Sequence, residues 1–278
     1  MATGWCDGAG VQLFTSLVTP FDDAGEVDYR RLRAHVLWQM TQGIDGFVVT
    51  LGAGEFLVLD AEERARIHHT VLDAVPNRPV YLGVWAPREQ ERRDLMLQGR
   101  DRGAFAAILA PPLLVGAPND AIERMYRSVK GAALPLWGVH SRTFGTNIEA
   151  STFADLRRDG VLQGIVDDSG DRFRLSRLAR TAPERVLAGS DPDLPELLNL
   201  NGVQAFVSIL TNLWPAFGLQ LFRDRDATIG QAWIERADRI RTAGGLGAVK
   251  TLLRMGCRGP VHEVPEERLE GLPAAEQL

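Results

Sequence analysis

The chain has 278 residues, 45% hydrophobic and 24% charged, with a formal net charge of −5. A compact fold of this length buries about 75% of the surface its unfolded chain exposes, and the composition excludes a disordered or membrane-embedded class. The negative charge argues against a nucleic-acid partner, which requires a basic face, and Cys6 and Cys257, one near each end, supply neither a disulfide framework nor a cysteine metal cluster.

The opening Met1–Gly10 has no basic start and no apolar stretch of signal-peptide length. No later run reaches the roughly 18 apolar residues of a membrane span, so a cytoplasmic protein with no membrane partner is expected. Val11–Val18 is the first candidate strand, and Asp28 then caps a helical pattern over Tyr29–Gln42. Gly46–Thr50 is the second strand, followed by a helix that Asp60 opens with Glu63 three residues on, a capping-box spacing. Val80–Val84 and Ala106–Leu109 come next, and Pro118-Asn119-Asp120 starts the fourth helical pattern. Leu134–Val139, Gly164–Val166, Val186–Ala188 and Ala205–Ser208 complete the strands. Short apolar runs alternating with amphipathic stretches are the signature of βα units with a parallel sheet. Eight such units in about 210 residues predict an α/β fold, a (β/α)8 TIM barrel, whose chemistry sits on the loops after the strand C-termini. Helical patterns over Ala216–Phe222, Thr228–Thr242 and Leu246–Met255 go beyond a minimal barrel. The expected division is a barrel over 1–212, a helical appendix packed on it over 213–260, and a loosely held, Pro-punctuated tail over 261–278.

Six segments in order carry a resemblance. They are Leu17-Val18-Thr19-Pro20-Phe21 with Gly25-Glu26-Val27-Asp28, Gly52-Ala53-Gly54-Glu55, Ser141-Arg142-Thr143, Gly164-Ile165-Val166-Asp167-Asp168-Ser169-Gly170-Asp171, Gly189-Ser190-Asp191 and Thr211-Asn212. Together, across roughly residues 10–260, they resemble the dihydrodipicolinate synthase and N-acetylneuraminate lyase family of barrel aldolases. That resemblance implies a lysine at the end of strand six that forms a Schiff base with a 2-oxo acid, the imine serving as electron sink. The matching position here is Val166, which has no nucleophile. The chain's two lysines are Lys130, at the end of the fourth helical pattern, and Lys250, in the appendix. Both read as solvated or packing residues. The family's tyrosine after strand five is matched by Trp137, its tyrosine after strand four by Leu114, and its paired hydroxyl residues after strand two by Gly52 and Ala53. A divergent member is expected, with ordinary dihydrodipicolinate synthase or N-acetylneuraminate lyase activity absent.

The elements that recognise a carboxylate persist. Arg142 offers a bidentate fork of donors, and the backbone N–H groups of Gly52, Ala53 and Gly54 remain whatever their side chains. Arg142 equally fits a rim residue that pairs with an acidic neighbour. Trp137 and Trp85 fall at strand ends facing the expected cavity and would make it smaller and more apolar. His140 and Asp167 are the candidate proton carriers. Adjacent Asp167 and Asp168 should point to opposite sides, so one of them faces the site, while Asp168 and Asp191 are rim acids without an assigned task. Scattered rim acids and one histidine form no local metal-binding motif, so no metal and no cofactor is expected. Two functions follow: an enzyme that binds a small carboxylate-bearing, 2-oxo-acid-like molecule and works by acid–base catalysis without an imine, or a noncatalytic, regulatory paralogue. The resemblance also implies a homo-oligomer, dimer or tetramer.

Overall fold

A computed structural model describes residues 11–112, 116–142, 148–181, 185–200, 203 and 205–276. Eight parallel strands, β1 (Gln12–Ser16), β2 (Gly46–Val49), β3 (Val80–Gly83), β4 (Ala106–Leu109), β5 (Leu136–His140), β6 (Gly164–Asp167), β7 (Val186–Ala188) and β8 (Ala205–Ser208), close in sequence order into a barrel. The helices that wrap it are α1 (Tyr29–Gln42), α2 (Ala61–Ala74), α3 (Glu89–Asp101), α4 (Asn119–Ser128), α5 (Ala150–Arg158), α6 (Arg172–Thr181), the short α7 (Leu194–Leu197) and α8 (Pro215–Asp224). The fold is the predicted (β/α)8 barrel.

Local chemistry sets the helix starts as the sequence suggested. The Asp28 carboxylate accepts the Arg31 N–H at 2.9 Å, and Asp60 and Glu63 form a complete capping box at the head of α2. Helix α1 ends on Gly43 at φ 98°, a left-handed cap that costs glycine nothing.

Each strand is buried on both faces, so its side chains divide between two cores. Leu13, Phe47, Leu82 and Ile165 pack outward against the helices. Phe14, Tyr81, Ile108, Trp137 and Val166 fill the barrel interior. Strand β5 pairs with β6 so that Trp137 stands opposite Gly164 and Val139 opposite Val166. A Cβ on Gly164 would lie 2.6 Å from the Trp137 ring, so glycine is what admits an indole there. Trp137 then meets Tyr81 edge-on at 5.0 Å, and Tyr81 meets Phe14 at 5.5 Å, making an aromatic plug below the C-terminal layer of the barrel.

Helix α8 packs against β1 and α1 and is the barrel's own eighth helix, so the appendix begins with α9 (Ala227–Ala243) and α10 (Leu246–Leu252) rather than at residue 213. The described part of the tail is tied down instead of loose. The Glu276 carboxylate accepts the Ala216 and Phe217 N–H groups at 2.8 and 3.2 Å, capping α8 from a distance, and the Trp214 indole donates to the Ala274 carbonyl at 2.9 Å. No helix among the described residues is long and apolar enough to cross a membrane.

Candidate functional site

A cavity of about 370 Å³ opens at the C-terminal ends of the strands, within the size range of small-molecule sites. Its apolar walls include Val48, Val139, Val166 and Val207, from β2, β5, β6 and β8. Its polar surface comes from Ser16, Ser141, Asp168, Ser190, Asp191 and the backbone of Gly52 and Ala53, while Leu246 of α10 leans over it. Among the described residues that line it there is no lysine, arginine or histidine.

Strand parity decides which acid faces this space. Val166 points inward, so Asp167 points out and Asp168 in again. Asp168 accepts the Ser141 hydroxyl at 2.9 Å and the Arg142 N–H at 3.2 Å, and burial, with Asp167 nearby, raises its pKa to about 6. Room for it comes from Gly189, where a Cβ would sit 2.7 Å from the Asp168 Cβ. Asp191 accepts the Ser208 hydroxyl and the Ile209 N–H, the latter at 3.0 Å. Burial raises its pKa to about 6 as well, against the bonds that lower it, and the Asp168 charge adds to the rise. The Asp191 carbonyl is in turn held by the Trp233 indole of α9 at 2.8 Å, so the appendix props the loop after β7.

The proton carriers expected from sequence face the other way. His140 and Asp167 stand opposite each other in the β5–β6 register on the outer side of the sheet. His140 Nδ1 lies 3.1 Å from the Ile148 carbonyl, and the fully buried Asp167 carboxylate is paired with Arg174 of α6. Burial, then Arg174, lowers the His140 pKa. These two residues fasten β5 and β6 to the helical layer and reach no cavity wall, because a strand presents alternate side chains to opposite faces.

Arg142 is likewise engaged at the rim. Its guanidinium, with the side chain 61% exposed, pairs with Asp193 at 2.7 Å and donates to the Ser169 carbonyl. Trp137 belongs to the plug beneath the cavity, and Trp85 packs edge-on against Phe56 at 5.5 Å, so neither indole lines the cavity. Gly52, Ala53 and Val166 do line it, and the Gly52 and Ala53 N–H groups donate to no acceptor among the described residues. Leu114 and Thr143 lie outside the described residues. Among those described, no three His, Cys, Asp or Glu side chains are placed to hold a metal ion.

Neither lysine reaches the cavity. Lys130 Nζ donates to the Asp159 carbonyl at 2.7 Å on the outer surface. Lys250 is fully buried and ion-paired with Glu55, its Nζ 4.4 Å above the Phe21 ring, and burial lowers its pKa. Glu55 ends the Gly52–Glu55 loop at φ 54° and also accepts the Arg258 N–H at 3.4 Å, while the Arg258 guanidinium grips Glu63 with two 2.8 Å bonds. The helical appendix thus clamps the loop after β2. Lys250 is therefore a buried ion-pair partner and not a solvated residue; the local signal for the pair is a lone lysine interrupting the apolar run Leu246–Leu253. For Asp168 the signal was parity with Val166.

The profile of the Dihydrodipicolinate synthetase family matches residues 10–235. The 4-hydroxy-tetrahydrodipicolinate synthase of Nitratidesulfovibrio vulgaris strain Miyazaki F is 31% identical over 218 residues, 76% of this chain and 73% of that protein. Among solved structures, a dihydrodipicolinate synthase of Bacillus anthracis superposes with TM-score 0.85 at 19% identity, over 95% of this chain and 99% of that one. A sialic acid aldolase of Ruminococcus gnavus carrying a mutated catalytic lysine superposes with TM-score 0.85 at 16% identity, over 94% and 92%. At such identities the two structures speak for the fold.

Proposed function

The chain belongs to the dihydrodipicolinate synthetase family, and on that footing we propose that it receives a small carboxylate-bearing molecule at the barrel mouth and acts on it by acid–base chemistry without a Schiff base. The observation that carries this reading is Val166 in the cavity wall, at the position matched to the family's lysine, with Lys130 on the outer surface and Lys250 committed to Glu55. Lys250 lines no part of the cavity and is fully buried against Glu55, so a substrate carbonyl held in the cavity does not meet its amine. Asp168 and Asp191, with pKa values near 6, replace His140 and Asp167 as the proton carriers of the proposal, since a general acid or base works best near the operating pH. The Gly52 and Ala53 N–H groups are the carboxylate receivers.

The test is borohydride reduction in the presence of pyruvate followed by intact-mass measurement. No adduct is expected; a mass increase mapping to Lys130 or Lys250 overturns the reading. Proton exchange at a substrate held at saturating concentration, present in the parent and lost on Asp168→Asn, separates the enzyme from a noncatalytic paralogue. A cytoplasmic homo-oligomer belongs to the same proposal, and sedimentation at equilibrium checks the assembly.

A further inference from the structure

The cavity stands on its own as a site, enclosed by the barrel mouth whatever its charge, and its chemistry narrows the ligand. Among the described lining residues the two ionisable groups, Asp168 and Asp191, are both acids, and the rest of the polar surface is hydroxyl and backbone. Three cations of the surrounding fold are engaged elsewhere: Arg142 at the rim by Asp193 and the Ser190 hydroxyl, Arg174 by Asp167, Lys250 by Glu55. A molecule that presents only a carboxylate meets two like charges between apolar walls that strengthen the repulsion. A neutralising positive charge on the ligand removes that penalty and uses both acids as acceptors.

Resting on the reading of this cavity as the functional site, we propose that its ligand carries an ammonium group as well as a carboxylate, so that the substrate class is an amino acid or a close amino carboxylate. The carboxylate is received at Gly52 and Ala53, the ammonium at Asp168 and Asp191, and the aliphatic part lies along Val139, Val166 and Val207. A charge-assisted bond from each acid corresponds to about ten- to hundred-fold in affinity.

Calorimetry with pyruvate and alanine tests this, because the two share a three-carbon carboxylate skeleton and differ at the second carbon, a trigonal oxo carbon in one and a tetrahedral carbon bearing the ammonium in the other. Serine, homoserine and ornithine extend the series to fill more of the cavity. The best amino acid is expected to bind at least about ten-fold more tightly than pyruvate, and Asp168→Asn and Asp191→Asn are each expected to weaken it about ten- to hundred-fold. Should Asp191→Asn fail to fold, Asp168→Asn decides, its fold checked by circular dichroism. Pyruvate binding as tightly as every amino acid, no amino acid binding at all, or an unchanged amino acid affinity in Asp168→Asn each refutes the proposal. Pyruvate binding as tightly as every amino acid without a borohydride adduct sinks the ammonium proposal alone, whereas a trapped adduct sinks the imine-free reading instead.

Discussion

Replacing Lys250 by methionine isolates the clamp that holds the loop after β2. The substitution keeps the length and apolar stem of the side chain but removes the ammonium that sits in a fully buried pair, 0% and 3% exposed for Lys250 and Glu55. Glu55 is left with the Arg258 N–H at 3.4 Å as its remaining partner. Breaking a buried pair from one side costs about 3–5 kcal/mol, because the other charge stays in a low-dielectric site without compensation. Against a total stability of about 5–15 kcal/mol that is readily measured by urea denaturation. The loss also has a pH signature. Burial already raises the Glu55 pKa, and removing Lys250 raises it further. A carboxyl with a raised folded pKa loses stability as pH climbs above its unfolded value, so the deficit of Lys250→Met is largest at pH 8 and shrinks towards pH 5 as Glu55 takes up a proton. Adding Glu55→Gln removes the orphaned charge and recovers part of the loss at pH 8. A deficit below about 1 kcal/mol at pH 8, the range of exposed pairs, or one that does not change with pH, refutes the assignment of the pair as a buried clamp.

Two further outcomes follow from the acids of the cavity. Asp168 titrates near 6 in the folded chain against 3.8 as its ordinary value, so its burial lowers stability progressively as pH rises from about 4 to about 6. Asp168→Asn is therefore expected to be more stable than the parent at pH 8, by about 3 kcal/mol, with the gain vanishing near pH 4; thermal melts across that range check it, and a gain that grows in acid contradicts the sign. Gly189→Ala introduces a Cβ 2.7 Å from the Asp168 Cβ, and overpacking of this kind costs about 1–3 kcal/mol. Its denaturation midpoint should fall, and Gly189→Ala combined with Asp168→Gly should restore it.

The barrel itself was legible in the sequence. Eight short apolar runs with helical stretches between them, and caps such as Asp28 and the Asp60–Glu63 box, are local signals whose physics needs no distant partner. The ordered segments from Leu17 to Asn212 carried the family likeness for the same reason. Residue identity also marked the Gly52–Ala53 backbone and Val166 as cavity positions.

Facing and pairing were decided only in three dimensions. Choosing between Asp167 and Asp168 required knowing which side of β6 looks inward, and the closed register that turns Val166 to the axis makes that choice for both. The engagement of Arg142 with Asp193, of His140 and Asp167 with the outer layer, and of Lys250 with Glu55 joins residues as far as 195 positions apart. A sequence states which charges a chain owns, because composition is local. Where each charge is neutralised depends on which segments the closed barrel brings within a few ångströms, and that is a property of the fold.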